Sequence, residues 1–229
     1  MKTIVLLLLA LAAGIYALLF FQPGLYFSRS LEYRNFRLHS RGQLPTGVEF
    51  ALDHAVERLS ASELYAPEQR FDVYLAGSPG EFAFFTPLMK YPRVRLNPFN
   101  GAIFLAAADF PADRLRREAG ETDYRPLGAL LAGAAARELA RRSMEPLKYL
   151  FMSEWRLGGY AEKVSGGSGL FNPPDICSGR EDAELQAFEY GLAVDLVMRE
   201  ENISYQELLG KSYSYDLVRR RLRENVCGR

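Results

Sequence analysis

The sequence predicts an α+β domain that follows a single transmembrane helix. Three observations predict this arrangement. Residues 4–21 carry no charge and are almost all apolar. Between residues 35 and 106, short segments alternate between apolar and polar residues or stand between turn residues, as strands do. After Pro126 the apolar residues recur at helical spacing, so a small mixed sheet is expected first and a helical half later.

The apolar run 4–21 is long enough to cross a membrane, because a helix of that length rises about 27 Å and the hydrocarbon core is about 30 Å thick. A cleaved signal peptide usually has a shorter apolar stretch, of about 7–15 residues, followed by a small-x-small site. Ala10-Leu11-Ala12 fits such a site but lies inside the run. We therefore predict an uncleaved membrane anchor at residues 1–24 and a globular domain at residues 25–229, with a cleaved signal as the alternative.

The side of the membrane follows from the ends of this run. Lys2 and a tail of three residues favour a cytoplasmic N-terminus and export of the rest. Four arginines after the run count against export, although only the first is close to it: Arg29, Arg34, Arg37 and Arg41. We predict a single-pass protein of the cell (inner) membrane with its domain on the periplasmic or extracytoplasmic side.

Composition excludes several kinds of site. The chain has 28 basic and 28 acidic residues, whereas nucleic-acid binders usually carry a basic excess. His39, His54, Cys177 and Cys227 are the only histidines and cysteines, and they are too scattered along the sequence for a finger-type zinc site. In an exported domain the two cysteines are expected to form a disulfide, with two unpaired thiols as the alternative.

The periodicities predict a definite series of elements after the anchor. Thr46 is predicted to cap the first helix of the domain, and residues 165–179 and 109–125 are predicted as loops. The predicted strands are 35–40, 71–75, 94–96 and 102–106. The predicted helices are 46–64, 81–85, 127–142, 150–164, 181–200, a helix opened by a capping box at 204–207, and 214–224.

Two of these helices carry a family resemblance. Residues 134–142 read A-A-A-R-E-L-A-R-R, and residues 155–164 read W-R-L-G-G-Y-A-E-K-V. Together they resemble the thermolysin-like metallopeptidases (gluzincins, peptidase MA) of the bacterial branch with small domains, in which an H-E-x-x-H helix precedes one reading roughly W-x-x-E-G-x-A-E-Y. The strand ending near Leu105 is similar to the edge strand with which these enzymes hold a peptide. The resemblance covers most of the chain after Asn35 and implies a zincin-like fold.

The resemblance also implies that the metal site is lost. In this family two histidines one turn apart and a glutamate from the second helix bind zinc, and the glutamate of H-E-x-x-H is the general base. Here Glu138 keeps the base position and Glu162 keeps a later acidic position, but the ligand positions hold Arg137, Arg141 and Gly158. Arginine does not lose its proton and cannot bind zinc. We therefore expect a vestigial site with no metal and no other cofactor.

The predicted function is that of a membrane-anchored, non-catalytic metallopeptidase-like protein that binds a peptide or envelope partner. One alternative is an active hydrolase with non-standard ligands such as Glu138, Glu154, Glu162 or a histidine, and another is a purely structural membrane-tethered module. The arginines would then simply end an amphipathic helix, where positive charge suits the helix dipole. If the site is vestigial, we expect Arg137 or Arg141 to point inward and pair with Glu138 or Glu162 in place of the metal.

Overall fold

The computed structural model of the chain describes residues 2–87, 94–115, 125–167, 169–180 and 182–228. Within these residues the α-helices are α1 (Lys2–Phe21), α2 (Glu49–Ser60), α3 (Pro79–Phe85), α4 (Leu127–Arg142), α5 (Pro146–Leu150), α6 (Glu154–Ser165), α7 (Ala183–Glu201), α8 (Tyr205–Gly210) and α9 (Tyr215–Cys227). The strands are β1 (Arg29–Tyr33), β2 (Phe36–Ser40), β3 (Phe71–Leu75), β4 (Val94–Leu96), β5 (Ile103–Leu105), β6 (Ala108–Asp109) and β7 (Arg114–Leu115). Short 3₁₀ turns occupy Pro23–Leu25 and Pro173–Cys177.

Helix α1 coincides with the predicted anchor and is long and apolar enough to cross a membrane. None of its residues is fully buried by the rest of the chain. Tyr16, Leu19 and Phe20 are partly buried, and they lie on one face because residues three and four apart in a helix are neighbours. This face of α1 therefore contacts the domain.

The main sheet has five strands in the order β1-β2-β3-β5-β4. Strands β2, β3 and β5 run parallel, whereas β1 and β4 pair antiparallel at the two edges. The strand that ends at Leu105 is thus β5, inside the sheet, and its prediction as the peptide-holding edge strand was wrong. The edge is β4, because this strand pairs with the free side of β5 in an antiparallel hairpin.

One face of the sheet packs against α2 and α4 and forms the main core. Leu38, Val73 and Ile103 are fully buried there, together with Leu52 and Leu131 from the two helices. Helix α4 approaches α2 closely at Gly128, where a Cβ atom would lie 2.7 Å from the carbonyl oxygen of Ala51. The close packing explains how two helices and a small sheet bury a contiguous apolar core.

The opposite face of the sheet is covered by a second, aromatic core. Its buried members are Phe27, Tyr74, Phe82, Phe85, Phe104 and three alanines, Ala76, Ala102 and Ala106. Phe85 of α3 stacks on Phe104 of β5 with ring centroids 5.3 Å apart. Leu19 of α1 and Tyr26 pack against this cluster, so contacts cross the predicted boundary between anchor and domain.

Several element boundaries differ from the sequence prediction. Helix α2 begins at Glu49 after Val48, so Thr46 is not its N-cap. The predicted helix 150–164 begins later, at Glu154, because the extended backbone of Ser153 separates it from the short helix α5, which ends at Leu150. Strand β1 was missed, since its sequence R-S-L-E-Y is mostly polar and only Leu31 and Tyr33 pack, partly buried, against the main core. Of the predicted loop 109–125, residues 116–124 lie outside the described part of the chain.

A disulfide between Cys177 and Cys227 confirms the predicted pairing of the two cysteines. The bond joins the 3₁₀ turn Pro173–Cys177 to the end of α9, with the two Cα atoms 5.8 Å apart. It closes a loop that contains α7 and α8, and thus links the C-terminal helix to the rest of the helical half.

Candidate functional site on helices α4 and α6

Helices α4 and α6 pack antiparallel and bring the two motif segments together. A Cβ atom on Gly133 of α4 would lie 3.5 Å from the carbonyl oxygen of Ala161, and one on Gly158 of α6 would lie 2.8 Å from Nη2 of Arg137. Residue numbers therefore rise along α4 as they fall along α6. Arg137 and Gly158, two of the three predicted ligand positions, are direct neighbours.

Glu138, at the predicted base position, is buried, with 1% of its surface exposed. Its carboxylate accepts hydrogen bonds from Nε and Nη2 of Arg141, at 2.6 and 2.8 Å, and from Nε of Arg142 at 2.7 Å. The bidentate contact with Arg141 is the strongest common geometry for such a pair. The hydrogen bond to Glu138 outweighs burial and raises the pKa of the Arg141 guanidinium.

The β4–β5 turn covers Glu138 from another direction. Gly101 has a φ angle of +78°, and a Cβ atom there would overlap the Glu138 carboxylate. The backbone at Gly101 therefore lies against this carboxylate, and only glycine combines that conformation with so close an approach. The surroundings of the carboxylate are thus filled by two guanidinium groups and a backbone turn.

Arg137 points toward α6 instead of toward Glu138. Its Nη1 atom donates to Oε2 of Glu154 at 3.1 Å, and its Nη2 atom donates to the other oxygen of the same carboxylate. Burial lowers the pKa of Arg137, but the hydrogen bond and the charge of Glu154 outweigh burial and raise it overall. A side chain at position 158 would overlap this pair, since a Cβ atom there would lie 2.8 Å from both Arg137 Nη2 and Glu154 Oε1.

Glu162 lies one turn beyond Gly158 on α6 and is also buried. Its Oε2 atom is 3.5 Å from Nη1 of Arg125, a residue just before α4. The predicted inward arginine is therefore confirmed for Arg141 with Glu138. Of the other residues weighed, Arg137 instead binds Glu154 on the facing helix, and Glu162 lies against Arg125.

Sequence reasoning missed two members of the site, Arg142 and Arg95. Arg95 lies on β4, and its Nε atom is buried with no hydrogen-bond partner among the described residues. Burial lowers the pKa of Arg95, and the nearby charge of Arg137 lowers it further. No local pattern marks Arg95, because its position depends on how β4 pairs at the sheet edge.

We call this set of side chains the arginine cluster. Its four basic and two acidic members leave two positive charges in surplus. The members are Arg95, Arg137, Arg141, Arg142, Glu138 and Glu154.

Metal ligands are not assembled in the part of the chain that the structure describes, where no group of three or more His, Cys, Asp or Glu side chains could hold an ion. His39 contacts Asp72 at 2.7 Å, and His54 contacts Asp113 at 3.3 Å. Neither histidine therefore joins the candidate site, and the non-standard ligand set weighed from the sequence does not come together among these residues.

No protein-family model, curated protein or solved structure matches the chain. The resemblance to thermolysin-like metallopeptidases therefore stays a hypothesis carried by the two motif segments.

Proposed function

We propose that the protein is a membrane-anchored, non-catalytic relative of metallopeptidases that binds a peptide or envelope partner without cutting it. One observation carries this proposal: the carboxylate of Glu138 is enclosed by Arg141, Arg142 and the turn at Gly101. A general base must reach the water molecule that it activates. A carboxylate held by two guanidinium groups and covered by a backbone turn is instead out of reach of such a water molecule.

The neighbouring positions support the same proposal. Arg137 cannot serve as a metal ligand, and its guanidinium is already bound to Glu154. A glutamate at position 158 would overlap this ion pair. The arginine substitutions and the loss of the third carboxylate therefore fit one another, as expected of a site that has been rebuilt around charge pairs.

Membrane anchoring is supported by α1 and by the way in which it ends. Side chains of the β4–β5 turn donate hydrogen bonds to carbonyl oxygens of Phe20 and Phe21 at the end of α1. A cleaved signal peptide would make no lasting contacts with the mature domain. The disulfide supports an extracytoplasmic domain, because disulfides persist in oxidising compartments.

The chemistry of the partner is suggested by the charge of the arginine cluster. The cluster adjoins β4, an edge strand, and edge strands offer backbone groups to which an extended peptide can pair. Two surplus positive charges beside this edge favour a peptide with acidic side chains.

The absence of catalysis is tested on the full-length protein purified in detergent. After incubation with zinc and desalting, we expect no stoichiometric zinc on the protein. We also expect no chelator-sensitive cleavage of casein. Glu138→Ala serves as the matched control, used at a temperature where circular dichroism shows it to be folded, and should leave both readings unchanged. Near-stoichiometric zinc and chelator-sensitive cleavage in the parent, lost in Glu138→Ala, would overturn the proposal.

The side of the membrane is tested by a C-terminal fusion to alkaline phosphatase, which folds only after export. We expect an active fusion, and no reactive thiol when the unreduced protein is unfolded. An inactive phosphatase together with two reactive thiols per chain would place the domain in the cytoplasm.

A further inference from the structure

The C-terminal end of α1 is docked on the domain by aromatic contacts. The hydroxyl of Tyr16 donates to the carbonyl oxygen of Phe84 at 3.2 Å, and the two rings meet edge to face with centroids 5.1 Å apart. Phe20 and Phe21 each lie 6.2 Å from the ring of Phe99. Two separate parts of the domain, the end of α3 and the β4–β5 turn, are therefore in contact with α1.

The β4–β5 turn also caps α1. The side-chain amide of Asn97 donates to the carbonyl oxygen of Phe20 at 3.4 Å, and that of Asn100 donates to Phe20 and Phe21 at 3.1 and 3.2 Å. The last carbonyl groups of a helix have no partner within the helix and need one elsewhere. The turn therefore lies at the level where the apolar helix ends.

The contact between Tyr16 and Phe84 lies deeper. Tyr16 precedes Phe21 by five residues, which places it about 7.5 Å further along the helix axis toward the membrane centre. The apolar run 4–21 is only just long enough to span a bilayer, so sliding α1 outward would draw apolar residues from the hydrocarbon core. The end of α3 is then at the level of the lipid chains.

Exposed apolar side chains surround this junction. Phe84 is 44% exposed, Phe99 is 55% exposed, and Leu25, just after α1, is 64% exposed. Each is costly in water, whereas aromatic and aliphatic side chains are favoured where lipid headgroups meet acyl chains. The three residues lie beside the one helix that is apolar enough to enter a bilayer among the described residues.

We propose that the domain is seated in the leaflet where α1 leaves the membrane, with Phe84, Phe99 and Leu25 inserted among the lipid chains. This inference rests on the proposed anchoring. The occupant of the exposed apolar surface is thus the bilayer that α1 spans. Gly101 of the β4–β5 turn contacts Glu138, so the proposed insertion also places the arginine cluster close to the membrane surface.

Quenching of tryptophan fluorescence by brominated lipid chains tests this insertion on the full-length protein in phosphatidylcholine nanodiscs. Trp155, the only tryptophan and a buried one, is first replaced by phenylalanine. Single tryptophans then replace Phe84 or Phe99, and Leu9 in the middle of α1. Phe50 is the matched control, since it is 55% exposed like Phe99 but lies on α2, which packs on the opposite face of the sheet.

We expect strong quenching of tryptophan at positions 9, 84 and 99, and weak quenching at position 50. If position 9 is strongly quenched but positions 84 and 99 are quenched no more than position 50, the proposed insertion is wrong and the membrane anchor still stands. Weak quenching at all four positions would overturn the membrane anchoring and, with it, the proposed insertion of the domain. Positions 84 and 99 report independently, so a folding defect in one variant leaves the other to decide.

Discussion

Two adjacent residues of α4 lie in opposite surroundings. Glu138 is 1% exposed and is held by two arginines of its own helix and covered by the β4–β5 turn. Arg137 instead reaches across to Glu154 of α6, whose side chain is 61% exposed. Both contacts join a carboxylate to a guanidinium, but only one of the two carboxylates is removed from water.

This difference predicts unequal energies for the same chemistry. Removing one partner of a buried ion pair leaves an uncompensated charge and costs about 3–5 kcal/mol. An exposed pair contributes about 0–1 kcal/mol, because water screens the charges and both side chains lose freedom. Glu138 is therefore expected to contribute much more to the stability of the fold than Glu154, whose carboxylate faces water.

The largest effect is expected for Glu138→Ala. We expect it to lower the free energy of unfolding by about 3 kcal/mol, the lower end of the range, since Arg141 and Arg142 keep partial access to water. Denaturant unfolding of the full-length protein in detergent measures this change. A loss below about 0.5 kcal/mol would mean that Glu138 is not buried as described.

Gly101→Ala tests the same site from the turn. We expect a loss of about 2 kcal/mol, from the positive φ angle and from the overlap with the Glu138 carboxylate. Gly169→Ala is the matched control, because Gly169 has a φ angle of +68° and nothing within 4 Å of its position for a Cβ atom. If Gly101→Ala costs no more than Gly169→Ala, the contact with Glu138 is absent.

Glu154→Ala tests the exposed pair. We expect the free energy of unfolding to fall by less than about 1 kcal/mol at low salt, and by less still in 1 M salt, where screening is strong. The same denaturation experiment at two salt concentrations gives the answer. A loss equal to that of Glu138→Ala would remove the distinction between the two sites.

The smallest effect is expected at Gly158. A Cβ atom there would meet only the ends of the flexible side chains of Arg137 and Glu154, and alanine favours a helix by about 1 kcal/mol over glycine. Gly158→Ala should therefore change the unfolding midpoint little. The next residue gives the contrast: Gly159→Ala should destabilise strongly, because its Cβ atom would overlap the backbone of Tyr190 on α7. Equal effects of the two substitutions would contradict the described packing of α6.

Local patterns in the sequence predicted what depends on near neighbours. Helices α4 and α7 follow from their apolar spacing, and the pairing of Arg141 with Glu138 follows from a spacing of three residues on one helix. The partner of Arg137 depends on the register between α4 and α6, which no local pattern contains. The contact of Gly101 with Glu138 likewise joins residues far apart in the sequence, and no local pattern predicts it.

The order of the strands in the sheet was the other feature that the sequence did not predict. The segment ending at Leu105 is apolar throughout, and β5 is buried on both faces. Its place between β3 and β4 is nevertheless fixed only by its pairing with these two strands. Arg95 joins the arginine cluster for the same reason. The sequence thus predicted which elements form and part of one charge pair, but not the long-range contacts that enclose the site.

The central claim is that guanidinium groups form ion pairs with the buried carboxylate of Glu138. A double-mutant cycle between Glu138→Ala and Arg141→Ala, measured by denaturant unfolding of the full-length protein, tests it most directly. Contacting charged residues couple by about 0.5–3 kcal/mol, and for this buried bidentate pair we predict at least about 1.5 kcal/mol. A coupling free energy near zero would contradict the claim and leave Glu138 free to act as a base.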